Sequence, residues 1–306
     1  MYNLIKNNIN DIKKELINQL DIYPIKQIVE FIDNISKING TIYCGGIGKS
    51  DTLCKLLSDL LKSINIKSHT LNITNLNHGD IGTVDCDNDI LIIFSKSGNT
   101  IELKYICENN KNLKIYGVFC NKQADLIKYC DNFIILPFVN EIKNNIDIIP
   151  SNSCISYIIF INLLISGLIE KNNIKLENYE KNHIGGNIGQ QLLILKNIMI
   201  TDFPKKNINT DIDINDILID MIKFKIGCCI FVNNENKYIG LITDADLRKL
   251  YHMKLDIKKI INTNSFVIKN KNLRVLDIYE NIKMYSYIPI LDNNKIIGLI
   301  SRDSIL

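Results

Sequence analysis

Ser95-Lys96-Ser97-Gly98-Asn99-Thr100-Ile101-Glu102 directly follows the apolar run Ile90-Leu91-Ile92-Ile93-Phe94. The pattern passes from a buried strand to a turn of hydroxyls and glycine, and then to helical spacing. Such a turn aims main-chain N–H groups and the hydroxyls of Ser95, Ser97 and Thr100 at one spot before a helix N-terminus, where a phosphate is favoured. Glu102 stands on the first helical turn, within reach of the carbons of a phosphorylated molecule held there. A phosphate cradle beside a carboxylate able to move protons points to sugar-phosphate chemistry. The plainer readings are N-capping for the hydroxyls, for which one would suffice, and dipole complementation for Glu102.

A second glycine turn, Gly45-Gly46-Ile47-Gly48-Lys49-Ser50, follows another short apolar strand. A nucleoside-triphosphate P-loop would need a glycine where Tyr43 stands, and a dinucleotide fingerprint would need one at Asp51; both are rejected. What remains is a glycine turn feeding a helix that begins with Lys49 and Ser50, open either to an anion or to solvent. His78 and His183 both fall in glycine-flanked loops, Asn77-His78-Gly79-Asp80 and Asn182-His183-Ile184-Gly185-Gly186. They lack metal-ligand spacing, and no cysteine completes a set, so no metal is expected. A Gly-x-Ser-x-Gly elbow is absent, which argues against a serine hydrolase.

These residues need a frame to bring them together. Helical spacing covers residues 4–20 and 24–38, with Pro24 breaking between them. Strands are expected at Thr41–Cys44, Ile66–Leu71, Asp89–Phe94, Lys114–Phe119 and Asn132–Leu136. Helices are expected at Lys49–Ser63, Asn99–Asn109, Ala124–Tyr129 and Ser151–Lys171. Strands interleaved with helices imply an α/β fold, a doubly wound and mostly parallel sheet whose ligands collect at the carboxyl ends of the strands. The turns after residues 44 and 94 then face one crevice. Past a boundary near Gln190–Ile200 the character changes. Asp211–Leu250 and Asn272–Leu306 resemble one another, each reading helix, strand, polar turn, strand with glycine, helix. This duplication predicts a smaller α+β module with pseudo-twofold symmetry.

The chain has 306 residues, enough for two domains, and its apolar content of 46% supplies an ordinary core. Thirty-six basic and 33 acidic residues leave a net charge of +3, too small and too evenly spread to predict nucleic acid or an anionic membrane as partner. Nine cysteines without a CxxC pair read as small buried hydrophobes in a reducing cytoplasm. No apolar run reaches the ~20 residues that span a bilayer. Ser153–Ile169 comes closest and reads as a buried helix.

Taken together, the chain resembles the arabinose 5-phosphate isomerase family, a sugar isomerase (SIS) domain with a flavodoxin-like sandwich followed by tandem CBS domains. The anchors are Gly46-Ile47-Gly48-Lys49-Ser50, His78-Gly79-Asp80-Ile81-Gly82, Ser95 to Glu102, His183-Ile184-Gly185-Gly186 and Gly240-Leu241-Ile242-Thr243-Asp244-Ala245-Asp246-Leu247-Arg248. The resemblance implies domains at 1–195, 196–252 and 253–306. It implies interconversion of D-arabinose 5-phosphate and D-ribulose 5-phosphate towards the lipopolysaccharide sugar Kdo, with no redox cofactor. Carried over by motif, the catalytic set is Lys49, Glu102, Glu141 and His183. Ser50, His78, Ser95, Ser97 and Thr100 are the substrate-binding residues. It further implies a homotetramer with sites completed by neighbouring subunits, and a nucleotide or nucleotide-sugar at the CBS module. Other sugar-phosphate isomerisations, and a non-catalytic sugar-phosphate sensor, stay open as alternatives.

The sequence departs from the family's pattern at several places. The neighbours of Glu141 differ, Ile184 replaces a proline, and Asn99 replaces a glutamate. Asn72 stands where some relatives place a zinc-linked histidine, and Ser304 where the second repeat usually carries a ribose-binding aspartate. The first repeat keeps Asp246.

Overall fold

Five parallel strands form the first sheet: β1 (Ile42–Gly46), β2 (Ser68–Thr70), β3 (Ile90–Ser95), β4 (Lys114–Phe119) and β5 (Asn132–Ile135). Their order is β2-β1-β3-β4-β5, the doubly wound arrangement expected. The structure is a computed structural model. It describes residues 1–306 except Asn77, Val139, 142–148, Lys181, His183, Ile184, Lys254, Leu255 and Leu306, and omits the side chains of Glu177, Glu180, Leu250, Tyr251, His252 and Met253. The chain divides into two units, Met1–Asn182 and His183–Leu306.

Alternate residues of the central strands feed two cores, which is why these strands read as continuous apolar runs. Ile42, Cys44, Ile90, Ile92, Phe94 and Val118 face one side. There they pack on the helices α2 (Ile25–Ile35) and α3 (Lys49–Ser63) and on a later helix, Asn152–Lys171, through such residues as Phe31, Leu57 and Phe160, while the first helix, α1 (Tyr2–Asp21), lies against that later helix. Tyr43, Leu91, Ile93, Ile115 and Phe119 face the other side, against α4 (Ile73–Leu76) and α5 (Ile101–Asn109). The later helix, α6, is long and apolar enough by length and composition to cross a membrane. Its Tyr157, Phe160, Ile161, Leu164 and Leu168 are instead buried in the first core.

Expected and observed elements differ mainly at their ends. The β2 strand shrinks to three residues because it is an edge strand paired only to β1. Helix α5 starts at Ile101 because Thr100 keeps an extended backbone (φ −66°, ψ 121°). The short helix after residue 124 is a 3-10 turn, Asp125–Tyr129.

In the second unit the two repeats give two antiparallel pairs, β7 (Cys228–Val232) with β8 (Tyr238–Thr243), and β9 (Tyr287–Asp292) with β10 (Lys295–Ser301). The strand β6 (Lys205–Asn207) adds to β7 in parallel. Gly240 and Gly298 occupy equivalent places because another chain segment crosses each. Asn262 bridges Leu241, and Ile200 bridges Leu299. A Cβ at Gly240 would stand 2.7 Å from the Asn262 carbonyl oxygen, and one at Gly298 would stand 2.5 Å from Met199 Sδ. The second repeat closes in a 3-10 turn, Arg302–Ser304, where the first has the helix Asp244–Met253.

Candidate functional site

The turns that end β1 and β3 do meet. A cavity of about 470 Å³ opens at the carboxyl ends of these strands and is lined by Ile47, Ser50, Ser95, Lys96, Ser97 and Thr100, with Phe94, Cys120, Asn121 and Phe138 completing it. The β1/β3 junction is where the sheet's winding reverses, the ordinary ligand position in this topology. A smaller pocket of about 130 Å³ shares Ile47, Ser50 and Lys96 with it and adds Lys49, Pro150, Ser153 and Cys154.

The hydroxyls of the β3–α5 turn shape the loop and do not cap the helix. Thr100 occupies the N-cap position of α5 without a side-chain cap bond. Its Oγ1 lies 2.8 Å from Ser95 Oγ, which also accepts from Gly98 N at 3.1 Å. Ser97 Oγ accepts from Asn99 N at 3.2 Å, and Asn121 Nδ2 donates to Ser97 O at 3.0 Å. Gly98 adopts φ +67°, and an added Cβ would collide with Ala124 Cβ, so the tight turn needs glycine. The first-turn amides of α3 and α5 have no intrahelical acceptor, which leaves donors at the mouth of the cavity.

The proposed catalytic residues are distributed unevenly. Lys49 is exposed as the first residue of α3 and borders the smaller pocket. Glu102 is exposed on the first turn of α5 and is not among the residues lining the cavity. His78 is exposed in the turn before the 3-10 segment Asp80–Thr83, also away from the cavity lining. His183 lies outside the described residues. Asn72 serves its own chain, with Oδ1 accepting from Thr74 N at 3.0 Å and from Thr74 Oγ1 at 2.6 Å.

Glu141 is the most constrained of the set. It is buried, and its carboxylate accepts from Lys96 Nζ at 2.6 Å, Ser151 N at 2.8 Å, Ser151 Oγ at 3.1 Å, Ser153 N at 3.2 Å and Ser153 Oγ at 2.5 Å. Burial pushes its pKa up, but the hydrogen bonds from Lys96, Ser153 and Ser151 outweigh it and hold the group at about 2. An anion stabilised to that degree is a poor proton acceptor near neutral pH. Its place at the N-terminus of α6 adds the favourable end of the helix dipole. Burial pushes the neighbouring Cys120 thiol up to about 12, so this side chain is not a thiolate nucleophile at neutral pH.

Lys96 is the site residue that motif reasoning passed over. Its ammonium pairs with Glu141 and lies 4.4 Å from the centroid of the Phe138 ring. The available signal was that Lys96 is the one charged residue between β3 and Ile101.

In the second unit, Asp246 Oδ2 accepts from Thr243 N at 3.0 Å and from Thr243 Oγ1 at 2.7 Å. At the equivalent place Ser304 Oγ donates to Ser301 O at 2.7 Å, so the two halves present different chemistry.

Comparison with known proteins agrees with this architecture. A family model for the CBS domain matches residues 195–252. An uncharacterised Rickettsia prowazekii protein, RP505, is 29% identical over 292 residues, covering 92% of this chain and 88% of its own. A Haemophilus influenzae protein assigned as an arabinose 5-phosphate isomerase is 27% identical over 291 residues, covering 90% of this chain and 83% of its own. A solved Listeria monocytogenes structure, assigned as a sugar-phosphate isomerase, superimposes with a TM-score of 0.55 at 25% identity, over 59% of this chain and 97% of its own. Across nearly its whole length the chain is similar to the arabinose 5-phosphate isomerases, with a sugar-isomerase sandwich in front and a CBS region behind.

Proposed function

We propose that this chain is an aldose–ketose isomerase acting on a phosphorylated sugar, with D-arabinose 5-phosphate and D-ribulose 5-phosphate as its pair. The observation that carries the reading is the hydroxyl-lined cavity at the β1/β3 junction, with Lys96 in its lining and Lys49 on the smaller pocket beside it. Support for the sugar comes from the similarity to the Haemophilus influenzae protein.

Isomerisation moves a proton between C1 and C2 through an enediol, while a second proton moves between the two oxygens. It requires a carboxylate at the carbons and donors where enolate charge develops. Ser50, Ser95, Ser97 and Thr100 hold the phosphate in this reading, and Lys49 faces the oxyanion. Glu102 is the base, since Glu141 is already committed to five donors. His183 assists ring opening or proton shuttling, and His78 holds sugar hydroxyls.

Glu102 reaches a reacting carbon only if its helix borders the site in the working assembly. Ile101 and Tyr105, on the same helix, are 79% and 54% exposed, an apolar surface for a second copy to cover. The assembly proposed is a homotetramer in the cytoplasm, with the product passing towards Kdo. The two repeats, 196–252 and 253–306, form a paired module that takes a nucleotide or nucleotide-sugar on the half that keeps Asp246.

A coupled assay with arabinose 5-phosphate tests the function, and sustained formation of ribulose 5-phosphate is the expected result. Saturable binding without turnover would replace it with a sugar-phosphate sensor. That second reading is favoured by one feature, the engagement of both Glu141 oxygens by donors of the same chain. Gel filtration of a fully active monomer would remove the shared-site assembly.

A further inference from the structure

Of the three residues that line both pockets, Ile47, Ser50 and Lys96, only Lys96 is charged. Its anchoring is asymmetric. The Glu141 side chain that holds it is 4% exposed, whereas that of Lys96 is 39% exposed and opens on the cavity. An ammonium carries three donors. Glu141 Oε1 takes one, and the Phe138 ring face supports the cation from a second direction.

Glu141 is in turn immobilised. Oε1 also accepts from Ser153 Oγ, and Oε2 accepts from Ser151 N, Ser151 Oγ and Ser153 N, so both oxygens are saturated by the start of α6. A carboxylate tied at four points to a buried helix end is a rigid post. A lysine on that post loses much of the rotamer freedom it would otherwise surrender on meeting a ligand.

We propose that Lys96 is a substrate-contacting cation that binds the phosphate monoester of the substrate, and that Glu141 is a positioning residue that presents the ammonium to the cavity. The assignment rests on the reading of the site as a sugar-phosphate site. It goes beyond it by adding a residue outside the motif-derived set and by giving Glu141 a role without proton transfer. The hydroxyls of Ser50, Ser95, Ser97 and Thr100 grip the phosphate oxygens by direction, and Lys96 balances the charge. Lys49, across Ser50 in the smaller pocket, remains free for the sugar end.

The test uses the full chain as wild type, Lys96→Met, Lys96→Arg and Glu141→Gln. Calorimetry measures inorganic phosphate, arabinose 5-phosphate and uncharged D-arabinose against each. Loss of one charge-assisted contact should weaken both phosphate-bearing probes about ten- to a hundredfold in Lys96→Met. Lys96→Arg should recover part of that loss, and D-arabinose should bind alike in wild type and Lys96→Met. In turnover, KM should carry the effect of Lys96→Met and of Glu141→Gln, while the pH dependence of kcat keeps its shape in both. Equal phosphate affinity in wild type and Lys96→Met, measurable or absent in both, overturns the role of Lys96. A fall in kcat of about 10²–10⁴ in Glu141→Gln, with loss of the acidic limb of the profile, overturns the positioning role and makes Glu141 the base. Because inorganic phosphate reports on Lys96 without any reaction, a wild type that binds phosphate but isomerises nothing would sink the proposed function and leave this contact standing.

Discussion

The ammonium of Lys96 lies 2.6 Å from Oε1 of Glu141, a pairing across 45 residues that joins the turn after β3 to the start of α6. It has a consequence for stability that does not depend on any substrate. Glu141 is held at about 2 in the folded protein, against an ordinary 4.5. Between those values the unfolded chain takes up a proton that the folded chain refuses, so stability from this group is present above pH 4.5 and lost as the pH falls towards about 2. Glu141→Gln should therefore lower stability by about 1–3 kcal/mol at neutral pH. The gap from wild type should close as the solution is acidified through that window. Urea unfolding at a series of pH values checks this, and a gap independent of pH would show that the carboxylate charge plays no part.

Glu102 makes the opposite prediction. It is exposed on α5 and contributes nothing to the core. Glu102→Gln should leave circular dichroism and the melting temperature unchanged and lower kcat by about 10²–10⁴ if it is the base. An unaltered kcat would take Glu102 out of the mechanism.

The two equivalent glycines of the second unit should respond unequally to the same substitution. At Gly240 the intruding Cβ meets main chain of Asn262, which is held by bridging to Leu241. At Gly298 it meets the side chain of Met199, which can turn aside. Gly240→Ala should cost about 1–3 kcal/mol, and Gly298→Ala distinctly less. Denaturant titrations of the two variants give the comparison, and equal losses would contradict it.

Helix α6 offers a fourth test. Phe160 is fully buried and meets Phe31 edge-on at 5.5 Å, while Tyr157 stacks on Phe94 at 4.8 Å and donates its hydroxyl to Val118 O at 3.0 Å. Phe160→Ala should cost about 3–5 kcal/mol through the cavity it leaves. Tyr157→Phe should cost about 1 kcal/mol, the net value of one hydrogen bond. Urea unfolding at constant pH separates the two, and a Phe160→Ala variant as stable as wild type would show that α6 does not anchor the sheet.

Much of this protein was legible along the chain. The apolar runs at 90–94 and 114–119 could only be strands covered on both faces, and the glycine turns after residues 44 and 94 had to lie at the same end of a parallel sheet. The hydroxyls of Ser95, Ser97 and Thr100 and the start of α3 were placed correctly because the turn, the strand before it and the helix after it are local. The repeat in the second unit was readable for the same reason, since each copy carries its own strand pair.

The tertiary structure alone decided which charges meet. Nothing within a few residues of Lys96 announces Glu141, because the two are brought together by the order of the strands and the docking of α6. The serines at 151 and 153 lie ten and twelve residues beyond Glu141, yet folded they supply four of the five donors that keep it ionised. Periodicity reports how each segment is buried, whereas the pKa of a carboxylate depends on donors gathered from distant segments, and only packing assembles those.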